Sequence, residues 1–240
     1  MDLANQSQTR NDLSIYDAVA SNWWTGQTRW VRTLSKLVPA RLAHFDRIID
    51  WTDKDVLDLG CAGGFMAEAL AKRGAVVTGI DPAEQAIEAA RAHASQEDLT
   101  IRYDVGVGEA LPYPPNNFDA VVCVDVLEHV EDLERVIEES SRVLRPGGLF
   151  LFDTINRNPL AHLVVITFAE DWLRLLPKGT HDQERFIRPG ELQAILARHA
   201  LTPGPITGLG PRWIDRQGDF VFGRLPFKGI LYMGSATKAG

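Results

Sequence analysis

Val56-Leu57-Asp58-Leu59-Gly60-Cys61-Ala62-Gly63-Gly64 is the stretch that decides the fold, and Phe65-Met66-Ala67-Glu68-Ala69-Leu70-Ala71-Lys72 continues it with helical spacing. An apolar run entering a glycine-rich turn and leaving as a helix is the first turn of a nucleotide-binding βαβ unit. The missing side chains there let a ligand lie against the backbone. Asp58, two residues before the first glycine, narrows the ligand. A carboxylate at that place repels a pyrophosphate resting on the helix N-terminus, whereas a ligand carrying an ammonium and a sulfonium tolerates it. The loop therefore reads as a site for S-adenosylmethionine. NAD stays as the weaker alternative, because the glycine spacing is not G-x-G-x-x-G.

Working outward, strands and helices alternate. Val76-Val77-Thr78-Gly79-Ile80-Asp81 is a second strand and Ala83–Ala94 a helix, with Thr100–Tyr103, Ala120–Val124 and Leu149–Phe152 as further strands. Ala120–Val124 is continuously apolar, as a strand buried on both faces must be. Leu133–Leu144 is a helix stopped by Arg145-Pro146-Gly147-Gly148. This alternation predicts an α/β fold with a doubly wound, mostly parallel sheet and helices on both faces. Ahead of it, Ile15–Asp50 has apolar residues at helical intervals and reads as two helices broken near Pro39. Beyond it, Glu191–His199 is a helix, and the Gly- and Pro-punctuated remainder reads as a closing antiparallel strand pair ending near Tyr232. The organisation expected is an N-terminal helical cap over 1–50, then one domain over 51–240 with an insertion at about 157–190.

Composition bounds the function. At 240 residues with 45% hydrophobic and 24% charged residues, the chain has a core large enough for one such domain. A net charge of −7 with both signs mixed along the chain argues against nucleic acid as a partner. The two cysteines, Cys61 and Cys123, lack metal-type spacing and suit a reducing, cytoplasmic setting. Met1–Asn11 is polar and frayed in this reading, no secretory signal is expected, and no apolar run reaches the length of a membrane span.

Asp81 closes the second strand roughly 20 residues beyond the glycine turn, where an acid hydrogen-bonds ribose hydroxyls. Gly108-Glu109-Ala110-Leu111-Pro112 and Phe118-Asp119 follow at the expected places. With these segments, the chain from about 54 to 153 resembles the class I S-adenosylmethionine-dependent methyltransferases, a Rossmann-like fold with a seven-stranded sheet. The resemblance implies that Gly60, Gly63 and Gly64 face the methionine part, Asp81 the ribose and Gly108 the adenine, with Val124 lining the site. Val107 stands where many members carry an acid for the adenine amino group, and Ala62 where a glycine is commonest.

Further segments narrow the likeness. Asp17-Ala-Val-Ala-Ser-Asn-Trp23-Trp24, Asp125-Val-Leu-Glu128-His129-Val, Thr154-Ile-Asn156-Arg157-Asn158, Pro177-Lys-Gly-Thr-His-Asp182, Phe186-Ile-Arg-Pro189 and Ile206-Thr-Gly-Leu209 keep their order. They resemble the ubiquinone-biosynthesis O-methyltransferase family. That implies methylation of a phenolic hydroxyl on a polyprenylated ring, of the polyprenyl hydroxyphenol or demethylubiquinol type, and adds Arg41 as a cofactor contact. Methylation of another small phenol or of an N- or C-nucleophile is the alternative, and a catalytically silent scaffold of the same fold is the rival from a different class.

Methyl transfer to a phenol requires the oxygen deprotonated and in line with the sulfonium methyl. His129, just past the fourth strand, is the candidate base, with Glu128 beside it. Asp125, Glu128 and His129 lie within five residues at the carboxyl edge of the sheet and form a candidate triplet for a divalent cation such as Mg2+. The resemblance supports an ion there, although it usually carries glutamate where Asp125 stands. Asn156 is a candidate additional ligand. Equally, Glu128 reads as a helix cap and His129 as a hydrogen-bonded core residue. His181 and Asp182 sit in a polar loop that a turn capped by Thr180 explains almost as well as a substrate role. Leu163–Leu176, apolar with Glu170, Asp171 and Arg174 interspersed, reads either as a packed helix or subunit interface, or as a peripheral contact with the inner face of the cell membrane. Trp23 and Trp24 read as a lid over the cofactor or as core.

Overall fold

Four parallel pairings organise the fold around the strand that precedes the glycine turn. The computed structural model describes residues 14–166 and 180–240. It contains β1 (Asp55–Leu59), β2 (Val76–Asp81), β3 (Ile101–Val105), β4 (Phe118–Cys123) and β5 (Leu144–Ile155), which lie side by side in the order β3-β2-β1-β4-β5. β1 occupies the centre, with Val56 beside both Val77 and Ala120. Side chains alternate across it: Leu57 and Leu59 enter one core with Val121, Phe150 and Ile137, while Val56 enters the other with Leu42, Leu70 and Ile87. Both faces are thus covered, which is why the sequence of β4 is apolar throughout. Each fully buried leucine or phenylalanine in these layers contributes about 1.5–3 kcal/mol over its exposed state.

The helices α1 (Ser14–Ala18), α2 (Arg29–Phe45), α3 (Phe65–Ala71), α4 (Glu84–Gln96) and α5 (Leu133–Val143) connect or precede these strands. α5 begins where the Asp132 carboxylate accepts the Arg135 backbone N–H at 3.0 Å, satisfying one of the unpaired donors of the first turn. A three-residue turn, α6 (Pro159–Ala161), and α7 (Pro189–Arg198) follow.

The expected seven-stranded sheet is extended to nine strands among the described residues. β6 (Leu201–Pro203), β7 (Thr207–Ile214), β8 (Phe220–Leu225) and β9 (Leu231–Lys238) are all antiparallel. β9 pairs with β5 from Leu149↔Thr237 to Ile155↔Leu231, so the closing strand runs past Tyr232 to Lys238. The expected strand pair is in fact four strands, because β7 continues beyond β9 and pairs with β8 as a hairpin. The halt at Arg145–Gly148 also differs from expectation. The helix does end there, but the segment joins β5, with a register shift between Phe118 and Ala120 that absorbs the extra residues.

Pro39 does not divide two helices: α2 runs through it from Arg29 to Phe45. Proline removes one helix hydrogen bond, yet Leu37, Val38, Ala40, Arg41, Leu42 and Phe45 on either side are all buried, and that packing carries the helix across. Among the described residues no helix is long and apolar enough to cross a membrane. Of the stretch Leu163–Leu176, Leu163 is exposed and Val165 and Ile166 are buried, while the part from 167 onward lies outside the described residues, as does Met1–Asn11.

Candidate active site

A cavity of about 610 Å³ opens at the carboxyl ends of β1, β2 and β4, the end at which open α/β sheets bind ligands. Arg41, Asp58, Gly60, Asp81, Gly108 and Val124 line it, as does His129. Gly60 has φ +75°, and a Cβ there would stand 2.2 Å from Val126 Cγ2, so only glycine lets the backbone turn at this wall. Gly63 and Gly64 do not line the cavity. A Cβ on Gly63 would enter the Trp23 indole at 2.3 Å, and one on Gly64 would meet the Tyr103 hydroxyl at 2.6 Å. These two glycines make room for packing rather than for ligand.

Asp58 is 1% exposed, and among the described residues neither carboxylate oxygen has a full hydrogen bond. Burial pushes its pKa up to about 7 despite the pull of the Ala67 backbone N–H. A buried carboxylate lining a cavity, with no ion pair among the described residues, is complementary to a positively charged ligand. Asp81 is held by the backbone N–H groups of Ala62 at 2.9 Å and Ala83 at 2.8 Å, and burial raises its pKa to about 6. Val107 lines the cavity and is largely exposed, with Glu109 nearby on the same wall.

Arg41, projected from α2, is 3% exposed. Its Nε donates to Asp153 Oδ2 at 2.5 Å, and its Nη2 is ion-paired with Asp125 Oδ2 at 2.5 Å. The other Asp153 oxygen accepts the Asp125 backbone N–H at 2.8 Å. Asp125 itself has φ +54°, a left-handed conformation unusual for a residue with a side chain. This network corrects one expectation. Asp125 does not join Glu128 and His129, because its short arm is spent on Arg41. His181 takes the third place: ligand atoms of Glu128, His129 and His181 lie within 4.8 Å of one another, and all three residues are buried.

The group is chemically specific. Burial, with His181 and Arg185 nearby, lowers the pKa of His129 to about 3, so its imidazole is neutral. Burial, with the Asp125 charge, raises that of Glu128 to about 8. Thr154 Oγ1 donates to Glu128 Oε2 at 2.8 Å, while Glu128 Oε1 is buried with no hydrogen-bond partner among the described residues. One carboxylate oxygen and two imidazoles fit Zn2+, a borderline ion, and Mn2+, a harder ion that still accepts imidazole, better than Mg2+, which prefers oxygen ligands throughout. Asn156 is not in the group; its Nδ2 donates to the Lys228 carbonyl at 2.9 Å. Asp182 is the cap of the short turn Gln183–Arg185, in place of Thr180, accepting the Glu184 N–H at 3.0 Å.

Sequence reasoning passed over Tyr16 and Asp17 as lining residues, and Asp153 and Thr154 as the supports of Arg41 and Glu128. A signal existed for the last two: polar residues closing the apolar run Leu149–Phe152. Trp23 is buried and lines the cavity, whereas Trp24 stacks on His93 at 3.6 Å and donates from Nε1 to the Gly63 carbonyl at 3.0 Å. The lid and core readings of the pair are therefore divided between them.

Comparison with known proteins places relatives beside this chain. A family model described as a methyltransferase domain matches residues 57–152. The ubiquinone biosynthesis O-methyltransferase of Coxiella burnetii is 40% identical over 209 residues, covering 87% of this chain and 89% of that protein. The enzyme of the same name from Pseudomonas fluorescens is 41% identical over 199 residues, covering 82% and 85%. Among solved structures, an S-adenosylmethionine-dependent methyltransferase of Methanosarcina mazei matches with a TM-score of 0.62 at 22% identity, over 82% of this chain and 97% of that one. A Thermotoga maritima structure described as a possible histamine N-methyltransferase matches at 0.65 with 16% identity, over 95% and 100%. At those identities the structures speak for the fold alone.

Proposed function

This chain belongs to the ubiquinone biosynthesis O-methyltransferase family, and from that premise we propose that it methylates a phenolic hydroxyl on a polyprenylated ring with S-adenosylmethionine as methyl donor. The observation that carries the reading is the family likeness over most of the chain, joined to a cavity whose wall holds the cation-seeking Asp58. The donor supplies an electrophilic methyl group on a positively charged sulfur.

The chain's own residues account for the rest. Asp58 and Asp81 supply negative charge and hydrogen-bond acceptors on the donor side of the cavity. Arg41, kept charged by Asp125 and Asp153, offers a cation to the donor's carboxylate. His129, a neutral imidazole on the cavity wall, accepts a hydrogen bond from the phenolic hydroxyl and aligns its oxygen with the methyl carbon. Burial disfavours the protonated ring, so the proton passes to it only as the methyl–oxygen bond forms and the hydroxyl becomes strongly acidic. A divalent ion held by Glu128, His129 and His181 would lower the phenol's pKa as a Lewis acid. In that case His129 serves as ligand and the proton leaves to solvent. Chelation separates the two roles.

The N-terminal helices, with Tyr16, Trp23 and Arg41 lining the cavity, form the cap, and residues from 51 onward form the catalytic domain. Peripheral contact with a bilayer, through the stretch beginning at Leu163, suits an acceptor with an isoprenoid tail. The decisive experiment is turnover of a demethylated quinol analogue with S-adenosylmethionine, with and without a chelator. Absence of methylated product in both arms refutes the assignment, and loss in the chelator arm alone assigns the metal role.

A further inference from the structure

The segment Thr154-Ile-Asn-Arg-Asn begins with the last two, buried residues of β5 and runs on into the loop, where most of it serves to hold loops together. Asn156 N–H donates to the Ile230 carbonyl at 2.7 Å, and Arg157 reaches Glu191 at 2.5 Å and the Glu184 carbonyl at 3.2 Å. Thr154 is different. It is 0% exposed, and its hydroxyl is given to the carboxylate of Glu128, 26 residues earlier. Its neighbour Asp153 points to the opposite face, as successive strand residues do, and there supports Arg41. The end of β5 thus supports a different half of the cavity from each face.

Glu128 sits in the turn after β4 rather than in a helix or strand, and its side chain has three rotatable bonds. Burial alone leaves such a carboxylate free to rotate among several buried orientations. The Thr154 hydroxyl selects one, fixing Oε2 and leaving Oε1 as a buried oxygen with no partner among the described residues. We propose that Thr154 is a positioning residue whose hydroxyl locks one oxygen of Glu128 so that the other faces a divalent cation shared with His129 and His181. The inference rests on the cation reading of that group. Its logic is that of outer-shell partners in metal sites generally: they set ligand orientation, and their loss weakens metal affinity by about 10- to 100-fold.

The test uses the full chain, freed of metal and titrated with Mn2+ alone, so that acceptor identity does not enter. Wild type, Thr154→Val and Thr154→Ser are compared, the first deleting the hydroxyl at nearly constant volume and the second restoring it. Expected are Mn2+ binding by wild type, binding by Thr154→Val weaker by about 10- to 100-fold, and binding by Thr154→Ser within about threefold of wild type. Affinity for S-adenosylhomocysteine should stay within about twofold in all three, since Thr154 does not line the cavity. Mn2+ affinity unchanged in Thr154→Val overturns the proposal. So does wild type that binds no Mn2+, which leaves the methyl-transfer assignment standing on its turnover assay. Should the valine variant lose its melting transition, Thr154→Ala is measured against the same two outcomes.

Discussion

The two halves of the cavity are built on different plans. The donor half is mostly backbone geometry near the central strands: the Gly60 turn, Asp58 at the end of β1 and Asp81 at the end of β2, two neighbouring strands. The acceptor half is one wall residue, His129, backed by side chains from distant segments: Glu128 after β4, Thr154 on β5, and His181 from the loop before α7. A site made by one turn is rigid because its strands are. A site made by several segments is only as rigid as the hydrogen bonds between them. Arg41, from α2, lies between the two halves and ties Asp125 to Asp153.

If the halves are separable, His129→Ala should have the largest effect and confine it to one side. We expect kcat/KM to fall by about 10²- to 10⁴-fold, with S-adenosylhomocysteine affinity by calorimetry unchanged. A parallel loss of affinity would show the halves to be one unit. Next is Arg41→Met, which leaves Asp153 and Asp125 without their buried cation. A destabilisation of about 3–5 kcal/mol by urea unfolding is expected, accompanied by weaker donor binding, and a variant as stable as wild type would remove the ion network from the account.

Gly63→Ala tests the donor half from behind. Its new methyl collides with Trp23, and a cost of about 1–3 kcal/mol is expected from overpacking, read as a lower melting temperature. An unchanged melting temperature would mean that the indole moves freely. The smallest effect is a pH dependence. Asp58 and Asp81 have folded pKa values raised to about 7 and about 6, above their unfolded values. Their contribution to stability is therefore complete below about pH 4 and is lost as pH rises through the folded values. The ligand-free protein should lose melting temperature between pH 5 and 8 in about that window, and Asp58→Asn should flatten the slope. Binding of a cationic donor runs the other way, weakening by up to about tenfold per unit below pH 7. Affinity that stays constant from pH 5 to 8 would contradict the role given to Asp58.

The donor half was legible because its signals are local. Glycine spacing, an acid at the end of a strand and an apolar run each describe a few consecutive residues, and the strand boundaries of β1 and β2 follow from them within a residue. Gly63 and Gly64 show the limit of that reading, since a glycine turn records which positions lack a side chain but not whether ligand or indole fills the space. The acceptor half was only partly legible. Asp125, Glu128 and His129 are adjacent in sequence, yet Asp125 faces Arg41 and is replaced by His181 from more than fifty residues away. Sequence proximity after a strand fixes where a turn begins, not which way each side chain leaves it. Pro39 misled for a similar reason: its local cost is real, and distant packing outweighs it.

Arg41 and Asp153 are 112 residues apart in the chain. On a ribosome, the helix bearing the guanidinium emerges long before the strand carrying its counter-charge. Until β5 is threaded beside β4, burying that cation is unfavourable, so α2 has reason to stay loosely attached. Competence to hold the methyl donor thus waits for the last parallel strand, which draws the N-terminal helix down onto the parallel part of the sheet before β6–β9 are made.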